Sequence, residues 1–128
     1  MIVVGVGARG GTTTQELRAA VGAVLATAGI AEEDVAVLAT VDRRAAEHAV
    51  REMALEKGWR LRGLPADELA RRRVPHPSVT VAAAVGTPSV AEAAALVAAG
   101  PRSRLLVPKQ ILRGVTVAVA KGTGSTAA

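Results

Sequence analysis

Cysteine is absent from this 128-residue chain, which excludes disulfides, thiolate metal sites and a cysteine nucleophile. Phenylalanine and tyrosine are also absent and tryptophan occurs once, yet 50% of the residues are apolar. The core must therefore come from Ala, Val, Leu and Ile, a composition that favours helices packed closely on a sheet. The shortage of aromatics removes the stacking platforms that nucleic-acid sites use, and no DNA-reading motif compensates, so no nucleic-acid partner is expected. Apolar runs are broken by charges or glycines well short of a membrane span, and no charged segment precedes an apolar one at Met1. A soluble cytoplasmic protein, not bound to a membrane, is the expectation. His48 and His76 lie far apart with no carboxylate cluster, so no metal site is expected, and no cofactor is called for. A G-x-S-x-G elbow or similar nucleophile signature is also missing.

What is present is one domain's length of chain, long enough to bury a real core, with a net charge of +5 carried mostly by arginine. Arg60, Arg62, Arg71, Arg72 and Arg73 form the densest group, and Arg102, Arg104, Lys109 and Arg113 follow. Either this is a solvated basic surface or it serves a small polyanion, since arginine pairs bidentately with carboxylates.

Ile2 to Val6 reads as a buried strand ending in glycines. The box Thr13-x-x-Glu16 opens a helix with Leu17, Val21, Val24 and Ala28 at helical spacing, and Gly29 stops it. Val35 to Thr40 is a second strand. Asp42 is placed to cap one helix carrying Ala46, Ala49, Val50 and Met53 as far as Gly58. Trp59 to Arg62 reads as a short strand and Pro65 as the start of a small helix around Asp67 and Leu69. Val74 to Pro77 is forced extended by its prolines. Ser89 caps a helix through Ala99, and Leu105–Val107 and Val115–Ala120 are two last strands separated by a basic loop. The expected fold is a three-layer α/β/α domain over residues 1–120 with a mixed sheet of about five strands. Residues 121–128 read as a flexible tail.

The loop Gly5-x-Gly7-x-x-Gly10-Gly11-Thr12 lies between a strand and a helix N-terminus, where backbone N–H groups attract an anion. Arg9 at its apex strengthens that reading. The alternatives are a tight turn and a dinucleotide site, but no acid falls about 20 residues after the loop at the tip of the second strand, where the latter needs one; Asp34 precedes that strand instead. Thr40 and Asp42 follow strand two, at the end where open α/β sheets place ligands. If strands one and two are parallel neighbours, both loops share one sheet edge. Ser89 and Glu92 form a second capping box, a structural role compatible with anion binding at the same helix end.

Three stretches in order resemble one family: Gly5-Val6-Gly7-Ala8-Arg9-Gly10-Gly11-Thr12, then Leu38-Ala39-Thr40-Val41-Asp42, then Gly86-Thr87-Pro88-Ser89-Val90-Ala91-Glu92-Ala93-Ala94-Ala95-Leu96. The last continues into Leu105-Leu106-Val107-Pro108-Lys109 and Gly114 to Ala120. Together they look like the CobE/CbiG C-terminal domain family of cobalamin biosynthesis, over roughly Ile2 to Ala120. The resemblance tips the ambiguous Ser78–Val85 stretch to helix and matches Lys109 to a family lysine after a strand. It departs at Arg43-Arg44, where the family more often has a lysine just beyond the aspartate; either arginine retains the charge.

The resemblance implies a corrinoid or precorrin intermediate as ligand and other cobalamin-pathway enzymes as partners, with the oligomeric state left open. CbiG-type proteins open the lactone of cobalt-precorrin-5A and release acetaldehyde. For that chemistry the resemblance offers Asp42 or Glu92 as catalytic base. It offers Gly7, Gly10, Gly11, Thr12, Thr40 and Ser89 as ligand-binding positions, with loop N–H groups meeting an oxyanion, and Arg9 and Lys109 as carboxylate clamps. The alternative is a non-catalytic corrinoid-binding or carrier module. The chain is expected to be a standalone CobE-type component or a part of a longer polypeptide.

Overall fold

The computed structural model describes residues 1–71 and 89–122. Three strands, β1 (Ile2–Gly7), β2 (Val35–Val41) and β3 (Arg60–Leu64), run parallel, each pairing with the next. β4 (Arg104–Leu112) and β5 (Val115–Lys121) form a hairpin that joins β1 through β5, antiparallel, giving the order β3-β2-β1-β5-β4. Helices α1 (Thr14–Ala28) and α3 (His48–Lys57) cover one face. The other face is covered by α4 (Ala66–Arg71) and α5 (Val90–Ala99). The expected three-layer α/β/α architecture is the one found.

Alternation along the strands divides the core. Val4, Val6, Leu38, Val117 and Val119 meet Leu17, Val21, Leu25 and Met53 on the α1 side. On the α5 side the sheet presents smaller groups. Gly5 pairs with Ala39 on one side and Ala118 on the other, so three adjacent strands contribute a row almost bare of side chain. The alanine-rich face of α5 lies directly on it: a Cβ added at Gly5 would come within 2.8 Å of the Ala95 backbone N and 2.9 Å of its Cβ. Small residues on both surfaces replace the missing aromatics with close approach. The single tryptophan, Trp59, is buried under α3 and its indole N–H donates to the Glu32 carbonyl at 3.0 Å.

Helix α1 carries the expected reciprocal box. The Thr13 hydroxyl accepts from Glu16 N–H, the Glu16 carboxylate accepts from Thr13 N–H, and Gly29 closes the far end in left-handed conformation. Its inner face is Leu17, Ala20, Val21, Val24 and Leu25, with Ala28 exposed. A bidentate Arg18–Glu56 pair, both bonds 2.9 Å, ties α1 to α3. The Arg18 hydrogen bonds hold the Glu56 carboxyl below the usual carboxylate range. Its pairing therefore stabilises the fold from that range upward and is lost as pH falls below it.

Five expectations are corrected. The helix placed between Asp42 and Gly58 is two: α2 (Asp42–Ala45) breaks at Ala46, and α3 restarts after an extended Glu47. The break lets α2 sit against β3, where Gly63 meets Ala45, while α3 turns Val50, Met53 and Ala54 into the core. Asp42 is the first residue of α2 and gives no side-chain cap; Val41 occupies the cap position. The third strand runs to Leu64, leaving Arg60 and Arg62 exposed along an open edge, where charge discourages pairing with another chain. The basic loop after Val107 is instead strand, since β4 continues through Leu112 and the hairpin turns on Arg113–Gly114 alone, φ 51° and 82°, a mirror-image turn suited to strand twist. β5 extends through Lys121, and Gly122 N–H donates to the Met1 carbonyl. The expectations for Arg72, Arg73, Val74–Pro77, Ser78–Val85 and the end of the tail lie outside the described residues.

Gly5→Ala should lower stability by about 3 kcal/mol, because the new methyl would meet the Ala91 carbonyl oxygen and the Ala95 N of the helix backbone, which cannot swing aside. Gly22→Ala, mid-helix with nothing within 4 Å of the new methyl, should raise it by about 0.5–1 kcal/mol. Urea unfolding of the two variants checks the contrast.

Candidate functional site

Parallel pairing of β1 and β2 carries the chain off the sheet at one edge in two adjacent segments, the loop of residues 8–13 and the short helix α2 with residues 46–47. The hairpin places its Arg113–Gly114 turn at the same edge, since Thr116 pairs with Gly7. α5 runs antiparallel to β1 and begins there too: a Cβ on Gly7 would contact Val90 at 3.6 Å. The amino ends of α1 and α5 therefore lie at the same sheet edge, one on each face, and their dipoles make this edge favourable for an anion.

The glycine loop is closed on itself. The Thr12 hydroxyl donates to the Arg9 carbonyl at 2.8 Å and Thr12 N–H to the same oxygen at 3.3 Å. That turn pushes Arg9, Gly10 and Gly11 outward into exposure, with Gly11 at φ 87°. Gly10 is covered by the guanidinium of Arg44, whose Nη1 lies 3.2 Å from where a Cβ would stand. Arg44 is half-buried and pairs with Glu47. This contact joins the glycine loop to α2 at the shared edge, and Arg44, noted in the sequence only as able to retain a family lysine's charge, is the residue that makes it. Its signal was the Arg44-x-x-Glu47 spacing, which had been absorbed into one long helix.

Asp42 is exposed, and among the described residues no hydrogen bond or ion pair engages its carboxylate. The side-chain cations of Arg9 and Lys109 likewise make no ion pair among the described residues. Thr40 is placed differently from a ligand contact. It is fully buried, and its hydroxyl donates to the Val6 carbonyl at 2.7 Å, bracing the ends of β1 and β2.

Ser89 caps α5, its hydroxyl accepting from Glu92 N–H at 3.4 Å. Glu92 is fully buried, and its Oε2 accepts the backbone N–H of Lys109 at 3.0 Å. Lys109 is not on a loop. It lies within β4, where the register slips between Val107 and Gln110. That bulge accommodates Pro108, which has no N–H to give, and turns the Lys109 N–H away from the ladder toward Glu92. A buried carboxylate on α5 thus fixes the backbone of a half-buried lysine on the sheet.

The same order of elements is found in known proteins. Residues 2–120 match the family model described as cobalamin synthesis G C-terminus. The chain belongs to that family. It is a protein of cobalamin biosynthesis. It is 34% identical over 123 residues to protein CobE of Sinorhizobium sp, covering 93% of this chain and 79% of that one. Among solved structures it resembles a CobE from the cobalamin biosynthetic pathway with a TM-score of 0.84 at 29% identity, covering 96% of this chain and 91% of that one. Cobalamin biosynthesis protein ChiG from Agrobacterium tumefaciens str. C58 matches with a TM-score of 0.74 at 30% identity, over 96% of this chain and 99% of that one. A cobalamin biosynthesis protein G homolog from Sulfolobus solfataricus matches with a TM-score of 0.77 at 26% identity, over 95% of this chain but 37% of that longer one. Among the described residues no group of His, Asp or Glu is arranged to hold a metal, and no helix is long and apolar enough to cross a membrane.

Thr40→Val should cost about 1 kcal/mol, the net worth of one buried hydrogen bond, in thermal or urea unfolding. Glu92→Ala should cost about 2–3 kcal/mol, because the Lys109 N–H loses its acceptor and a cavity opens, whereas Glu92→Gln should recover most of that loss.

Proposed function

We propose that this edge binds a corrinoid intermediate of cobalamin biosynthesis through its peripheral carboxylates. The observation that carries the reading is the meeting of two helix amino ends at one sheet edge, with Arg44 lying over a glycine loop whose Arg9, Gly10 and Gly11 are exposed. A macrocycle rimmed with acetate and propionate groups offers several carboxylates to such a site at once, and charge-assisted bonds to them are the strong kind. Arg9 and Lys109 clamp outlying carboxylates, and the N–H groups of Gly10 and Gly11 meet one that approaches the loop.

The reaction supported best is opening of a lactone of the cobalt-precorrin-5A type with release of acetaldehyde. Asp42, exposed at the same edge, acts as the base that draws a proton from the attacking water. The loop and helix N–H groups stabilise the oxyanion formed at the lactone carbonyl. Glu92, enclosed and engaged with Lys109, supports the site from behind. A carrier role is the second reading, favoured by the absence of any hydrogen-bonded partner that would orient Asp42 among the described residues.

Titration with cobyrinic acid, followed by its visible absorption and by Trp59 fluorescence, tests the binding. Arg9→Gln and Lys109→Gln should each weaken it by about tenfold. If the protein is a hydrolase, Asp42→Asn should abolish acetaldehyde release while retaining affinity. A carrier should show no release in the wild type. Unaltered affinity in both clamp variants would refute this placement of the ligand.

A further inference from the structure

We infer that Arg44 is the residue that grips a ligand carboxylate over the glycine loop, and that Glu47 is an internal stand-in for that carboxylate, displaced when ligand binds. The inference rests on the reading of this edge as a polycarboxylate site and names the device that keeps its cation paired until ligand arrives.

Three observations carry it. Arg44 lies across Gly10, its Nη1 3.2 Å from where a Cβ would stand, so the guanidinium rests tightly against the loop. The Arg44 side chain is 22% exposed and that of Glu47 30%, so the pair is partly sheltered yet open to exchange. Glu47 also stands at the N-cap of α3 with extended backbone, φ −76° and ψ 143°, but its side chain makes no capping bond there. Glutamate is a poor N-cap beside Ser, Thr, Asp or Asn. The helix break sets a carboxylate beside the loop's cation, and α3 starts without the capping bond that Ser, Thr, Asp or Asn would supply.

A ligand carboxylate has the same charge and the same two acceptor oxygens as Glu47. Exchange leaves Arg44 paired throughout and returns Glu47 to water, so no unpaired charge is sheltered at any stage. A ligand presenting a neutral amide cannot replace the ion pair and gains nothing at this position. Glu47 thus competes only with ligands that present a carboxylate to Arg44, lowering their affinity, and leaves amide ligands untouched.

The test compares cobyrinic acid, whose side chains end in carboxylates, with cobinamide, in which they are amides, on the intact chain. Wild type, Glu47→Gln, Arg44→Gln, Arg44→Lys and the exposed control Arg51→Gln are titrated, with folding of each checked by thermal unfolding. Glu47→Gln should bind cobyrinic acid roughly threefold more tightly and cobinamide unchanged. Arg44→Gln should weaken cobyrinic acid about tenfold, Arg44→Lys should weaken it less because the charge stays but the fork is lost, and Arg51→Gln should match wild type. Wild-type binding with Glu47→Gln unchanged or weakened would overturn the displacement while leaving the site standing. Failure of folded wild type to bind either corrinoid would remove the site reading and the inference with it.

Discussion

The structure depends on how closely α5 approaches the sheet. Gly5, Ala39 and Ala118 lie side by side on three paired strands and form a shallow trough, and Ala91 and Ala95 of the helix settle into it. At this separation helix backbone meets strand backbone, and dispersion contacts per residue are dense although no side chain is large. A core with a single aromatic, Trp59 on the far side of the sheet, works because the surfaces are smooth enough to touch. The same approach fixes α5 along its own axis, which sets its amino end beside Gly7 and brings Glu92 within reach of β4.

Much of the site follows from that placement. Glu92 sits one turn into a helix made almost wholly of alanine, valine and leucine, and burying a carboxylate there would be unfavourable without a partner. The bulge at Pro108 supplies one in the Lys109 N–H, freed because the ladder is out of register at that point. Two features that look like defects in isolation, a buried acid and a proline in a strand, complete each other.

The neighbouring loops show the same economy. Thr12 closes the glycine loop, Thr40 latches β1 to β2 beneath it, and Arg44 bridges from the adjacent α2 above. The polar side chains nearest the sheet are engaged internally, while Arg9 and Asp42 at the rim stay exposed to solvent. The fold recurs nearly entire in the CobE and ChiG structures and as 37% of a longer protein G homolog, so one compact unit serves in chains of different length.

The strand and helix order, the α1 capping box, the mixed sheet and the family were legible in the residues, because these depend on periodicity, local capping chemistry and short motifs. The division of α2 from α3 was not, since Ala46 and Glu47 are acceptable helix residues and only packing of Ala45 on Gly63 turns the chain there. The reach of β4 was hidden because Pro108 and Lys109 mark a loop by local preference, and a bulge against β5 overrides it. By itself the sequence determined which segments form and which edge their loops share. Tertiary structure alone decided that Glu92 holds Lys109, that Thr40 faces inward and that Arg44 covers Gly10, because each contact joins residues from elements that only the assembled sheet and helices bring together.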